Sequence, residues 1–219
     1  MQKTTFSAFL VFMAFFSVAQ TKIGLKFSPL LSASRTDLRY ENTVNDTLNI
    51  EPSGLFGRLS LGLVVDYSIS DTYYFSTGVS FLPKKVGVDI TGEDGGFYAN
   101  PSEEYNLQYL QIPVTLKLFT NEVAPDLSIF FQVGAGAEIR VFEEPVEDNY
   151  SLISEFRPFD ASVILGGGVE YRAGINTILF VDMSYQRGLL NIVKSTTPVL
   201  PDSFSIRTSA IMLDLGVKF

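Results

Sequence analysis

The chain closes on "SAIMLDLGVKF", residues 209–219, and alternate residues there separate into two kinds. Ser209, Ile211, Leu213, Leu215, Val217 and Phe219 are mostly apolar; Ala210, Met212, Asp214, Gly216 and Lys218 are largely small or charged. A period of two residues belongs to a β-strand whose two faces meet different surroundings. Which face meets what decides the fold.

The same alternation recurs along the chain. Segments rich in β-branched and aromatic residues lie at roughly 22–35, 55–68, 73–90, 104–120, 127–142, 158–173, 176–188 and 204–219. Most are longer than the five or six residues usual for a globular strand (about 17–20 Å). They suit a tilted membrane-spanning strand, which needs about nine to eleven residues. The connections alternate in length. "SISD" (68–71), "TNEVAPD" (120–126) and "RAGIN" (172–176) read as short turns, and long polar loops fall near 36–54, 91–103, 143–157 and 188–203. An even number of strands joined in this way puts every long loop on one side and both termini on the other. That is the layout of an outer-membrane barrel with short periplasmic turns and long external loops. The expectation is an all-β chain, an eight-stranded antiparallel up-and-down transmembrane β-barrel spanning residues 20–219.

Parity assigns the faces. Leu59, Leu61, Leu63 and Val65, Phe131, Val133 and Ala135, and Val181, Met183 and Tyr185 share one face. The other carries Lys26, Arg58, Asp66, Lys117, Glu138, Arg140, Glu170, Arg172, Asp182, Asp214 and Lys218, together with Gly24, Gly62, Gly78, Gly134, Gly136, Gly166, Gly168 and Gly216. A Lys or Arg facing lipid at the bilayer midplane costs about 2–4 kcal/mol, and several would rival the stability of a whole domain. The charged and glycine-bearing face therefore points into the lumen, where opposite charges form a network and glycines make room. Arg207 breaks the parity, but it lies near the external end of the last strand and can snorkel. Tyr67, Tyr73, Tyr171 and Phe219 fall near the periplasmic ends of the apolar face, as an aromatic girdle would. The last strand pairs with "KIGLKF" (22–27) to close the ring.

Composition agrees with export. The opening "MQKTTFSAFLVFMAFFSVAQ" has one Lys, an apolar run over 6–16 and a small-residue pattern ending at Ala19. It reads as a signal peptide over 1–19, cleaved before Gln20. Its loss removes Lys3 and no acid, taking the net charge from −8 to −9. Such an acidic chain is no nucleic-acid binder. With no Cys and no His it has no disulfide, no thiolate or imidazole metal ligand and no imidazole base. Counted over 36–54, 91–104, 143–157 and 188–203, the four long loops hold 14 acids against 3 bases, so the excess negative charge is external.

The stretch "YLQIPVTLKLF" (109–119) resembles the "YLxIPLxLK" strand of the PorT-like outer-membrane β-barrel family, matching at Tyr109, Leu110, Ile112, Pro113 and Lys117. Gln111 stands where that family often has an acid. "LGGGVEY" (165–171) resembles a second, glycine-rich strand of the family. The resemblance implies an eight-stranded barrel in the outer membrane. A namesake associated with a secretion and gliding machinery implies envelope or secretion-complex proteins as partners. The terminal Phe219 resembles the insertion signal read by the barrel-insertion machinery.

Catalytic readings are poor. Small barrels that act as proteases, phospholipases or lipopolysaccharide-modifying enzymes resemble one another in using His, which is absent. Asp182 and Asp214 could form a carboxylate pair, but nearby lumenal cations favour a structural network. "GAGAE" (134–138) and "GGG" (166–168) lack nucleotide-loop spacing and a following helix. Glu143, Glu144, Glu147 and Asp148, or Glu93 and Asp94, could hold a divalent cation, though without EF-hand spacing. "DTL" (46–48) resembles an O-glycosylation acceptor. No cofactor is expected. Three functions remain: a filled, non-enzymatic barrel acting through its external loops in outer-membrane lipid, a narrow pore, or a soluble lipocalin-like ligand-binding barrel.

Overall fold

In the computed structural model the described residues are 21–37, 48–52, 54–92, 102–146, 153–196 and 205–219. The expected signal peptide lies outside them. So do Asp46 and Thr47 of the glycosylation-like motif, Glu93, Asp94, Glu147 and Asp148. The strands, in chain order, are β1 (Thr21–Asp37), β2 (Leu48–Pro52), β3 (Leu55–Ser68), β4 (Tyr73–Gly92), β5 (Ser102–Ala124), β6 (Leu127–Pro145), β7 (Ile153–Phe156), β8 (Phe159–Arg172), β9 (Ile178–Gly188), β10 (Val193–Thr196) and β11 (Ser205–Lys218). β1, β3, β4, β5, β6, β8, β9 and β11 pair antiparallel in that order and return to β1, so eight staves close a barrel.

The closing ladder runs from Gly24↔Lys218 to Asp37↔Ser205. Phe219 extends it: its N–H donates to the Ile23 carbonyl at 2.9 Å, and the Ile23 N–H donates back at 3.1 Å. Hydrocarbon offers backbone groups no partner, and a closed ring leaves no strand edge unpaired.

Alternation is inside out relative to a soluble barrel. Along β9, Val181 and Met183 are 43% and 64% exposed, whereas Asp182 and Ser184 are each 3% exposed. Leu61 and Leu63, Phe131 and Val133, and Leu213 and Leu215 are likewise exposed, beside inward-facing neighbours such as Ser60, Phe130 and Asp214, which are buried. A continuous apolar belt of this kind needs a nonpolar solvent. The lipocalin-like alternative, with its greasy residues inside, is thereby corrected. Tyr73, Tyr171 and Phe219 are exposed near the end bearing the short turns, and Tyr67 is partly buried there.

The opposite end departs from the expected plain loops. Polar composition concealed three short strands there, because strands beyond the membrane need no apolar face. β2 pairs with the far end of β4 from Pro52↔Val88 to Leu48↔Gly92. Gly54, with φ of 40°, makes the left-handed break between β2 and β3. β7 and β10 form a separate two-stranded sheet. Between Leu61↔Phe81 and Pro52↔Val88 the wall changes character. β3 continues beside β1 to Ala33↔Leu55, and β4 is held by serines instead of a ladder. Ser60 Oγ donates to the Phe81 carbonyl at 2.6 Å and Ser34 Oγ to the Gly87 carbonyl at 2.9 Å. The Lys85 N–H donates to Ser32 Oγ at 3.3 Å. Here Leu82, Val86 and Val88 join Leu107, Tyr109, Phe156, Ile192 and Ile206 in one buried apolar cluster.

Lumenal glycines accommodate bulk across the ladder. Phe130 faces Gly168, and Phe180 faces Gly216. A Cβ on Gly168 would lie 2.3 Å from both the Val181 carbonyl oxygen and Asp182 Cβ. On the lipid face, a Cβ on Gly57 would meet nothing closer than Leu31 Cδ2 at 4.0 Å. Gly168→Ala should therefore cost about 1–3 kcal/mol by overpacking against backbone, and Gly57→Ala little. Urea midpoints of the two variants refolded in detergent check this; equal midpoints would show that the lumen has slack at Gly168.

Candidate functional site

Among the described residues, the buried charged and amide side chains gather in the lumen, and strand parity places them there. Nearest the short turns, Asp66 on β3 is the hub. It accepts both carboxylate contacts from Lys117 Nζ at 3.1 Å and one from Ser76 Oγ at 2.5 Å. Lys218 on β11 also donates to Asp66 and reaches across to Glu170 on β8. The two ammonium groups sit against aromatic faces: Lys218 Nζ is 4.7 Å from the Phe180 ring centre, and Lys117 Nζ is 5.1 Å from that of Phe130.

One layer deeper, Lys26 pairs with Asp214 at 2.8 Å, and Gln132 Nε2 donates to Asp182 at 3.0 Å. Asp182 and Asp214 are direct register partners on β9 and β11. Lys26 and Gln132 hold them in the structural arrangement. A cavity of about 30 Å³ bordered by Lys26, Lys117, Gln132, Asp182 and Asp214 has room for a water or two. Among the described residues, no group of three or more acids could hold a metal ion.

Toward the loop end, Glu138 collects donors from three strands. Lys84 Nζ approaches at 2.6 Å, Gln111 Nε2 at 2.9 Å and Ser162 Oγ at 2.9 Å. Gln111 also donates to Gln186 at 2.8 Å, and Lys84 to Thr208 at 3.1 Å. Above this layer the apolar cluster around Leu82, Leu107 and Tyr109 fills the bore.

Not every lumenal expectation falls in this network. Arg172 is a correction: its side chain is 58% exposed and only approaches Glu122, at 3.9 Å. It shares the lumenal parity, but β8 ends there and the residue has left the bore. Arg58 donates to Asn106 Oδ1 at 2.5 Å, where β3 has parted from β4, and touches none of the lumenal carboxylates named above. Arg140 pairs with Glu143 three residues along its own strand, toward the loop end. Lys26, Asp66, Lys117, Glu138, Glu170, Asp182, Asp214 and Lys218 do converge, and Phe219 sits on the closing ladder.

Sequence reasoning missed Lys84, which is 2% exposed, and the amides Gln111, Gln132 and Gln186. Parity held the signal, since Gln111 shares a face with Lys117 and Gln132 with Glu138. Attention to charge alone passed over it. The Lys84–Lys85 doublet puts one lysine inward in either register.

Removing one partner of a buried ion pair leaves the other charge stranded, at about 3–5 kcal/mol. Lys218→Met, which strands Glu170 and weakens Asp66, should lower the urea midpoint by an amount in that range. Lys194→Met removes a half-exposed partner of Glu155 and should change it by less than about 1 kcal/mol. Comparable losses in the two variants would show that Lys218 is not buried as described.

The comparisons with known proteins agree with this geometry. A family model described as outer membrane protein beta-barrel domain matches residues 18–194. The chain is similar to the outer membrane protein OprG from Pseudomonas aeruginosa, at 12% identity and a TM-score of 0.53, over 90% of this chain and 95% of that one. It is similar also to Neisserial surface protein A, at 12% identity and a TM-score of 0.50, over 92% and 99%. At such identity the likeness is one of fold. No curated protein matches the sequence. A closed ring, an exposed apolar belt and a family match over most of the chain lead to one conclusion: the chain belongs to the outer membrane protein beta-barrel domain family and resides in the outer membrane.

Proposed function

We propose that this barrel neither catalyses a reaction nor conducts ions, and that it acts as an interaction protein whose acidic loop end faces outward from the cell. The observation that carries the reading is the doubly blocked lumen. Phe130, Phe180, Lys117, Lys218 and Glu138 fill its body, and the apolar cluster with Leu82, Leu107 and Tyr109 fills the loop end. An eight-stranded bore is only wide enough for side chains to fill. Among the described residues, this packing supports a lumen closed to ions and substrates.

What remains accessible is the loop end, where Glu143, Glu144 and Glu155 are exposed. The lipid belt anchors, the lumenal network stiffens, and the acidic end makes contact. The resemblance to PorT-like barrels supports an accessory role in an envelope or secretion assembly. The position of Phe219, exposed at the end of the closing ladder, supports its role as the signal read by the barrel-insertion machinery.

Two experiments test this. Mature protein refolded into planar bilayers, with folding verified by heat-modifiable gel migration, should give no resolved current steps; reproducible openings would overturn the filled-lumen reading. Phe219→Ala keeps the backbone bonds to Ile23, so it should refold in detergent like the parent. In cells it should yield several-fold less heat-modifiable protein in the outer membrane. Equal yields in cells would remove Phe219 as a signal.

A further inference from the structure

The lumenal layer at Asp182 and Asp214 is one positive charge short. The two carboxylates are direct register partners on β9 and β11, and like charges opposite each other across a ladder repel. The lysine of that layer is Lys26, paired with Asp214 Oδ2 at 2.8 Å. The lysines above and below it are already matched. Toward the short turns, Lys117 and Lys218 answer Asp66 and Glu170; toward the loop end, Lys84 is held by Glu138. A buried carboxylate without a counter-charge is among the costliest groups a fold can carry. One more cation belongs in this layer.

Unused oxygens meet where the charge is missing. Asp214 is 4% exposed; its Oδ2 takes the Lys26 ammonium, and its buried Oδ1 accepts no hydrogen bond among the described residues. Asp182 takes Gln132 on Oδ1, and its Oδ2 has no partner there either. The hydroxyls of Thr115 and Ser184, both buried, hydrogen-bond to no other described residue. Lumenal serines elsewhere spend theirs on the wall: Ser60 on the Phe81 carbonyl and Ser34 on that of Gly87. Asp182, Asp214, Thr115 and Ser184 border one cavity of about 30 Å³. Carboxylate and hydroxyl oxygens are the ligands that hard cations take.

We infer that the cavity between Asp182 and Asp214 binds one monovalent metal cation, sodium. The carboxylates supply the charge, and Thr115 and Ser184 supply neutral oxygens. A single positive charge balances the layer, whereas a divalent ion overshoots it. Anionic oxygens at close quarters favour the smaller, harder ion, so sodium binds ahead of potassium. Lys26 does not compete for the site, because its ammonium holds the other oxygen of Asp214. Thr115 stands on β5, and Asp182, Ser184 and Asp214 on β9 and β11, so the ion ties staves from opposite parts of the ring. The site is independent of what the loop end contacts.

Refolding and urea unfolding in detergent, in sodium, potassium and choline chloride at equal ionic strength and neutral pH, test it. Screening is then constant, and an ion that binds only the folded state raises the midpoint. The parent should unfold at a higher urea concentration in sodium than in choline, with potassium between them. Asp214→Asn keeps an acceptor for Lys26 and balances the layer, so its midpoint should be the same in all three salts. Thr115→Val removes a ligand without changing charge and should raise the sodium concentration for half the effect several-fold. Glu155→Gln, exposed at the loop end, should keep the dependence of the parent. If Asp214→Asn fails to fold, Asp182→Asn and Thr115→Val carry the test. Equal parent midpoints in sodium and choline, or a sodium dependence undiminished in these variants, would overturn the site. Potassium as effective as sodium would overturn the sodium assignment. A parent indifferent to sodium but stabilised by acid, with that gain lost in Asp214→Asn, would replace the ion by a proton shared between the carboxylates. Bilayer conductance reads the lumen and the salt dependence of unfolding reads this site, so neither result decides the other.

Discussion

Everything in this molecule follows from the need to pair backbone N–H and C=O groups where there is no water to pair them. A strand in hydrocarbon must have a neighbour on both sides, so the sheet has to return on itself. With eight strands that ring is narrow, and the narrowness sets the rest. Side chains that point inward meet one another within a few ångströms. Those that point outward meet acyl chains.

The two faces therefore solve different problems with the same period. Outside, a leucine, valine or phenylalanine is enough, since packing against lipid is undemanding. Inside, bulk must be rationed and charge must be matched. Glycines opposite Phe130 and Phe180 ration the bulk, and donors from different strands converge on Asp66 and Glu138 to match the charge. Buried ion pairs add little net stability over an apolar core. They make a wrong register expensive, because a one-residue slip sends every lysine to lipid.

Parity made most of this legible in the sequence. It located the eight staves within a few residues and told Asp182 from Met183 without any coordinates. It says which side a residue faces, however, and not how far along the bore it lies. Arg172 was misplaced for that reason: the right side, but past the end of the wall. The short strands β2, β7 and β10 were hidden because, outside the membrane, polar residues form strands as readily as apolar ones. The apolar cluster at the loop end was hidden for the opposite reason. Leu82, Leu107 and Tyr109 carry the lumenal parity, but a face defined by its charges does not announce the place where it turns hydrophobic.

The closing ladder carries a kinetic consequence. Its partners, such as Lys26 and Gly216, are nearly as far apart in the chain as two residues can be, whereas other staves pair with neighbours in sequence. Forming that contact demands the greatest loss of chain entropy of any pair of staves. The hairpins can assemble locally, but the seam between first and last strands must wait for the whole polypeptide. Until it forms, two open edges face whatever is nearby, including the edges of another copy. The step most exposed to aggregation is thus the final one, and the residues at that seam govern how briefly it lasts.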